Sequence, residues 1–387
     1  VFAYARSRCG IKNRLSVVEM NADATELLSE PKLIYDGIQA NPTIEGPKFY
    51  KKDGWYYIFA PAGGVATGWQ TVLRAKHVYG PYEYKIVMHQ GNTAINGPHQ
   101  GGYVETPEGD SYFIHFQDVG PYGRICHLQP MCWNGGWPFI GQERNGDGIG
   151  EPVEVWDKPV AVDWTPKPIP SSDDFHEKTL GLQWQWQANP DHTFYSLERE
   201  PDNLVLFCRQ NERREDNLLW YAPNACNQML QAPAFMVETC ITLKDEEEGD
   251  LAGIGIIGHQ YSYVAVERRN DEIVLNVRTG VVKDPEGAGL AEESIQASVT
   301  TGGKKNVYFR LYLTNGCKYH YEYSFDKEHY YSIGMTYQAV KASWTGAKFT
   351  LFACNSFNHK SNGYGCYEYV TFTTDRNQDG DSCGGKC

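Results

Sequence analysis

Two stretches in the first half of the chain repeat one another, and the repeat constrains the fold more than any other feature of the sequence. "EGPKFYKKDGWYYIFAP" begins at Glu45, and "NGPHQGGYVETPEGDSYFIHFQD" begins at Asn96. Each runs from a polar residue through Gly-Pro, a strand, an acidic-Gly turn and an aromatic strand. A period of about 50 residues built from antiparallel strands is the mark of a β-propeller blade. A third, weaker copy is expected in "LQPMCWNGGWPFIG" (Leu128 to Gly141), turning at Asn134-Gly135-Gly136. The innermost strand of each blade lines the central channel, so Glu45, just before its Gly-Pro, is expected to face a shared axial pocket.

Other runs carry the same strand character, among them "NLVLFCRQ" (Asn203 to Gln210) and "NVYFRLYLT" (Asn306 to Thr314). Gly, Asp, Asn and Pro turns bound them, and long apolar stretches of period 3.6 are missing. The chain therefore reads as all-β. At 387 residues it is long enough for two domains with their own cores. "DKPVAVDWTPKPIPSSDD" (Asp157 to Asp174) reads as a stiff linker. The strand-rich stretch beyond it has about 200 residues, the usual size of a two-sheet sandwich. In "LQWQWQANPD", Trp184 and Trp186 alternate as strand residues do, so at least one is expected in the core.

A formal net charge of −13 argues against nucleic acid or an anionic membrane surface as partner. No run of about 18 or more apolar residues offers a membrane-spanning helix, and "VFAYARSRCGIKNR" does not read as a signal peptide. The compartment stays open. Aromatic residues make up 13% of the chain, with 26 Tyr and 10 Trp. That content suits stacking on sugar rings, and it equally suits β-rich cores. The 11 cysteines are scattered without a C-x-x-C pair, which reads as buried free thiols in a reducing or neutral environment. "DRNQDGD" (Asp375 to Asp381) opens like a calcium loop, but its twelfth position is Lys386 rather than Glu, so a polar tail is expected. "ERNGDGIGEP" (Glu143 to Pro152) reads as a turn between strands.

With these motifs in hand, the segment "IEGPKFYKKDGWYYIFAPAGGVATGWQTVLRAKHVYGPYE" resembles the family 43 glycoside hydrolases, as do "GPHQGGYVETPEGDSYFIHFQD" and "GRICHLQPMCW". These are five-bladed propellers acting as β-xylosidases and α-L-arabinofuranosidases. "LQWQWQANPD", "LWYAPNACNQMLQAPAF", "GIGIIGHQYSYVAVER" and "GAKFTLFACNS" resemble the concanavalin-A-like sandwich that follows the propeller in the β-xylosidase branch. The resemblance implies a partial propeller over 1–164, a sandwich over 165–374 and a polar tail over 375–387. It implies an inverting exo-glycosidase acting on xylo-oligosaccharides or arabinose side chains. A homo-oligomer stays open.

The resemblance puts the general acid at Glu45, in the Glu-Gly-Pro corner; without it, a Glu satisfying turn amides at a strand start would be the plainer reading. An acid in that role needs a raised pKa, which burial and a second carboxylate supply. His99 corresponds to a histidine on the propeller axis that meets a water or a water-ligated calcium; a buried histidine bonded to backbone is the alternative. Imidazole is an unusual ligand for an ion that prefers oxygen. Gln100 is expected beside it as a substrate-binding residue. Arg124, in "YGRICHLQP", corresponds to an arginine whose fork reaches a substrate hydroxyl, unless it is a surface strand residue. The family's base and pKa-tuning aspartates belong upstream of the Glu-Gly-Pro corner. Asp23 and Asp36 lie in the wrong context to match either, so the sequence is expected to be a fragment holding the acid without its base. A non-catalytic carbohydrate-binding protein of the same fold is the alternative from another class.

Overall fold

The computed structural model describes residues 2–5, 13–159, 170–210, 219–231, 233–282, 291–357 and 359–374. Described residues form strands, turns and two short 3-10 helices, Gly120–Tyr122 and Leu219–Tyr221. No helix among them is long and apolar enough to cross a membrane. The chain divides into two compact units, Val1–Val119 with Arg124–Thr165, and Gly120–Gly123 with Pro166–Cys387.

The first unit holds three antiparallel sheets, the consecutive blades of a propeller. The first blade contains β1 (Phe2–Ala5), β2 (Arg14–Val18) and β3 (Lys32–Asp36). The second contains β4 (Lys48–Lys52), β5 (Trp55–Ala62), β6 (Trp69–Ala75) and β7 (Glu83–Met88). The third contains β8 (His99–Glu105), β9 (Ser111–Asp118), β10 (Arg124–Asn134) and β11 (Trp137–Ile140). The two copies of the repeat thus become β4–β5 and β8–β9, each opening a four-stranded blade. The expected third copy does not start another blade. Leu128 to Gly141 forms the β10–β11 hairpin, the outer half of the third sheet. A strand-turn-aromatic pattern occurs in any hairpin, and only the pairing partner tells an inner hairpin from an outer one.

Strand β5 shows why its sequence reads as an unbroken apolar run. Ile58, Ala60 and Ala62 point to one face and pack with Leu15 and Val17 of the first blade and with Ile44. Tyr57 and Phe59 point to the other face and pack with Phe113, Met131 and Trp137 of the third blade. A strand buried on both faces loses the apolar-polar alternation of a half-exposed one. At the rim, Arg74 of β6 clasps the third blade. Its guanidinium lies between Trp55 and Trp137, 4.5 and 4.1 Å from their ring centres, and donates to the carbonyls of Gly135 and Gly136 at 3.1 and 2.7 Å.

The second unit is a sandwich of two seven-stranded antiparallel sheets. One runs Gln185–Trp186, Cys226–Met229, Lys348–Asn355, Asp250–Ile257, Gln260–Arg269, Glu272–Val282, Ala291–Thr300. The other runs Tyr195–Ser196, Leu204–Phe207, Tyr364–Thr373, Phe235–Lys244, Val307–Leu313, Lys318–Ser324, Tyr331–Gln338. Ile254, Val264 and Leu351 from the first sheet share one core with Val237, Phe309 and Tyr367 from the second. Trp184 is buried in this core, and Trp186 packs partly buried against it, so the alternation delivers one core residue as expected.

The end of the expected linker belongs to the sandwich rather than to a surface tether. Asp173 exchanges both backbone hydrogen bonds with Val370, and its carboxylate accepts Trp184 Nε1 at 2.8 Å. Residues 160–169 of that linker, and the calcium-loop-like stretch Asp375 to Asp381, lie outside the described residues. The eight described cysteines are unpaired, and five of them are buried.

Candidate active site

Glu45 reaches its position through the seven residues before β4, Asn41 to Pro47. Asn41 is fully buried, and its side chain holds three partners: it donates to Tyr35 Oη at 2.6 Å and accepts from Trp69 Nε1 at 3.0 Å and Thr71 Oγ1 at 2.7 Å. Its carbonyl takes the N–H of Ile44, whose side chain is sunk between the first two blades. The Glu45 N–H then bonds to Pro61 O at 3.0 Å. The loop is pinned on both sides of the carboxylate, so Glu45 projects from a rigid corner.

Three neighbours meet that carboxylate or its corner. His99, the first residue of β8 and fully buried, lies 2.9 Å from Glu45 Oε1 through Nε2. Gln100 Nε2 donates to the same oxygen at 3.3 Å. Successive strand residues ordinarily point to opposite faces, so both would not be expected on one group. The register of β8 against β9 slips between His99 and Gly102, and Gln100 takes a left-handed φ of 51°. This bulge turns Gln100 back to the side of His99. Lys48, at the start of β4, bridges the corner: its Nζ donates to Gly46 O at 2.9 Å and to Gln100 Oε1 at 3.2 Å. Burial lowers the pKa of this ammonium, and the nearby Glu45 charge opposes that shift.

Arg124 joins the same constellation through an aromatic ring. His99 pairs with Phe116 across β8–β9 and meets its ring edge-on, with centroids 5.9 Å apart. The Arg124 guanidinium lies over that ring at 4.5 Å. Arg124 Nε and His99 Nδ1 are both buried without a hydrogen-bond partner among the described residues. The structure therefore brings together all four residues singled out in the sequence: Glu45, His99, Gln100 and Arg124. Asn41 and Lys48 carry no such signal in the sequence. Asn41 opens a turn-like Asn-Pro pair that looks like loop punctuation, and a lysine at a strand start looks like a solvated charge.

Gly46 and Gly97 mark the two Gly-Pro corners and share a left-handed backbone, with φ of 52° and 48°. A Cβ at Gly46 would lie 1.9 Å from Gln100 Oε1, and one at Gly97 would lie 2.0 Å from Val65 O. The glycine in each repeat thus admits a close neighbour as well as a turn.

No group of three or more His, Cys, Asp or Glu side chains among the described residues could hold a metal. Beside Glu45 the chain offers one buried imidazole nitrogen without a hydrogen-bond partner among the described residues, His99 Nδ1, which suits a water or an ion that keeps most of its hydration shell. The Glu143 to Pro152 stretch is a turn, as expected. Glu143, Asn145 and Asp147 use side-chain oxygens to accept the N–H groups of Gly148, Asp147 and Ile149.

Propeller blades followed in one chain by a two-sheet sandwich, with a carboxylate held at a blade junction, define the class of protein. Residues 1–138 match the glycosyl hydrolases family 43, and residues 172–373 match the beta xylosidase C-terminal concanavalin A-like domain. The chain belongs to glycoside hydrolase family 43. A protein of Xylanibacter ruminicola is 37% identical over 336 residues, covering 86% of this chain and 58% of its own. A beta-xylosidase of Formosa agariphila is 30% identical over 405 residues, covering 95% and 64%. Both are longer than this chain. Among solved structures, the xylan beta-1,4-xylosidase from Bacillus halodurans C-125 superposes with a TM-score of 0.78 at 21% identity, covering 96% of this chain and 73% of that one. That likeness is one of fold.

Proposed function

We propose that the protein is an inverting exo-glycosidase that removes xylose or arabinose units from the ends of oligosaccharides, with Glu45 as general acid. The observation that carries this reading is the Glu45 carboxylate, one third exposed, with Oε1 held by buried His99. The acid is anchored in protein at Oε1, and a third of its side chain remains accessible to a substrate. In the proposed reaction Glu45 gives its proton to the glycosidic oxygen as the bond to the anomeric carbon breaks, and the bonding pair stays on that oxygen. A water adds to the anomeric carbon from the opposite face and loses its proton to a carboxylate base. No aspartate of this chain is assigned as that base. Arg124 would hold a substrate hydroxyl with its planar fork. His99 Nδ1 would face a water or a water-ligated calcium, whose positive charge would favour an anionic Glu45 after proton transfer.

Glu45→Gln in the whole protein tests the reading. A general acid contributes about 10²- to 10⁴-fold, so loss on that scale is expected on natural disaccharides, with far less on aryl glycosides whose leaving group needs no proton. Equal losses on both would remove Glu45 from the role. Relatives described as beta-xylosidase and as non-reducing end alpha-L-arabinofuranosidase both match this chain. The identity of the sugar is therefore tested by comparing nitrophenyl β-D-xyloside with nitrophenyl α-L-arabinofuranoside.

A further inference from the structure

We propose that Lys48 and Gln100 form a positioning relay that commits Glu45 Oε1 to accepting hydrogen bonds, and so places the transferable proton on Oε2. The inference rests on Glu45 being the acid. It starts from Lys48, whose ammonium has three N–H bonds. Three oxygens lie within reach: Gly46 O at 2.9 Å, Gln100 Oε1 at 3.2 Å and Gln100 O at 3.5 Å. With each N–H directed at one of them, Lys48 keeps none for a sugar hydroxyl. It acts on the protein itself.

The bond to Gln100 Oε1 settles which way the amide faces. Reversing the amide would set its NH2 against the ammonium, donor against donor, so the oxygen stays on Lys48 and the NH2 turns to Glu45 Oε1 at 3.3 Å. Glu45 Oε1 then meets a group that can only donate. A proton on Oε1 would face that N–H, whereas a proton on Oε2 leaves Oε1 as the carbonyl oxygen that the amide requires. His99 Nε2, 2.9 Å from Oε1, reinforces the arrangement when it carries its own proton.

Two backbone features permit this relay. Gln100 holds a left-handed φ of 51°, which L-residues rarely adopt, and the adjoining register slip brings its side chain over the corner. Gly46 leaves open the space that a Cβ would fill, 1.9 Å from Gln100 Oε1. Groups that act on Glu45 through Gln100 are positioning residues, and their loss should resemble a misplaced acid rather than a lost binding contact.

The test uses the whole protein with Lys48→Met, Gln100→Leu, the double variant and Lys48→Arg, each checked for native circular dichroism. The substrates are a disaccharide and an aryl glycoside with a dinitrophenolate leaving group. A misplaced catalytic group costs on the order of 10²-fold, so Lys48→Met and Gln100→Leu should each lower kcat on the disaccharide by about 10- to 100-fold, with little change on the dinitrophenyl substrate. The double variant should be no worse than the poorer single one, because both break the same path. Lys48→Arg, which keeps cation and donors, should recover most of the loss. Equal losses on the two substrates, additive losses or a change confined to KM would overturn the relay. If Lys48→Met does not fold, Gln100→Leu with the same substrate pair decides the matter. Failure of the underlying reading is distinguishable, because then Glu45→Gln itself would show no leaving-group dependence.

Discussion

Lowering the pH should weaken the third blade through one imidazole, His115. The side chain is 2% exposed, on the buried face of β9 beside Phe113 and stacked on His127 at 5.3 Å. Its two nitrogens have fixed tasks. Val153 N–H donates to Gln129 Oε1 at 2.7 Å, so the Gln129 amide turns its NH2 to His115 Nε2 at 3.1 Å, and that nitrogen must accept. Nδ1 then carries the proton and donates to Phe116 O at 3.2 Å. A second proton would have to enter at Nε2, against the Gln129 NH2. Burial, with His127 as a smaller contributor, depresses the pKa from 6.5 to about 4, against the opposing pull of Phe116 O. Between these values the unfolded chain binds the proton that the fold refuses, so stability rises with pH through this window and levels off above it. A gap of that size is worth about 3 kcal/mol at its limit, of which roughly 2 kcal/mol should disappear between pH 7 and pH 4.5. Denaturant-dependent hydrogen exchange on peptides from β9 and β10 would read this change blade by blade. His115→Gln, which can accept from Gln129 and donate to Phe116 O, should flatten the acid-side decline by that amount. Parallel pH profiles for the two proteins would refute the argument, since other titrating groups are common to both.

Two further outcomes concern packing. Arg74→Ala should destabilise the propeller unit by about 2–4 kcal/mol in thermal or denaturant melts, because two tryptophan faces and the carbonyls of Gly135 and Gly136 lose one shared partner. Arg74→Lys should recover little, since an ammonium cannot lie flat between two rings while reaching both carbonyls. In the sandwich, Glu267 is fully buried and accepts from Arg278 at 2.7 Å on both oxygens, from Asn276 at 2.5 Å and from Ser356 at 3.1 Å. Glu267→Gln removes the carboxylate hydrogen-bonded to Arg278, leaving the coulombic pull of Glu293, and should lower the unfolding free energy of the sandwich by about 3–5 kcal/mol. A loss under about 1 kcal/mol would show that the pair is solvated in solution.

Much of this fold was legible in the residues themselves. The Gly-Pro, acidic-Gly and aromatic-strand pattern determines local hairpins, because turn residues and β-branched or aromatic runs act over a few positions. The same locality explains one overreach, the weaker copy at Leu128 to Gly141, which is a true hairpin whose sheet only long-range pairing assigns. Glu45, His99, Gln100 and Arg124 stood out as candidates through the motifs around them, and the structure brings the four together. The contacts that join them were not legible. Gln100 reaches Glu45 only because a bulge overrides the period of two, and no run of side chains announces where a register will slip. Asn41 and Lys48 have ordinary sequence surroundings and draw their roles from partners tens of residues away, Trp69 and Thr71 for one, Gln100 for the other. Chemistry carried by one residue and its neighbours survives in the sequence. Chemistry made by closing long loops is decided by the tertiary structure, where the packing of whole blades selects which distant groups meet.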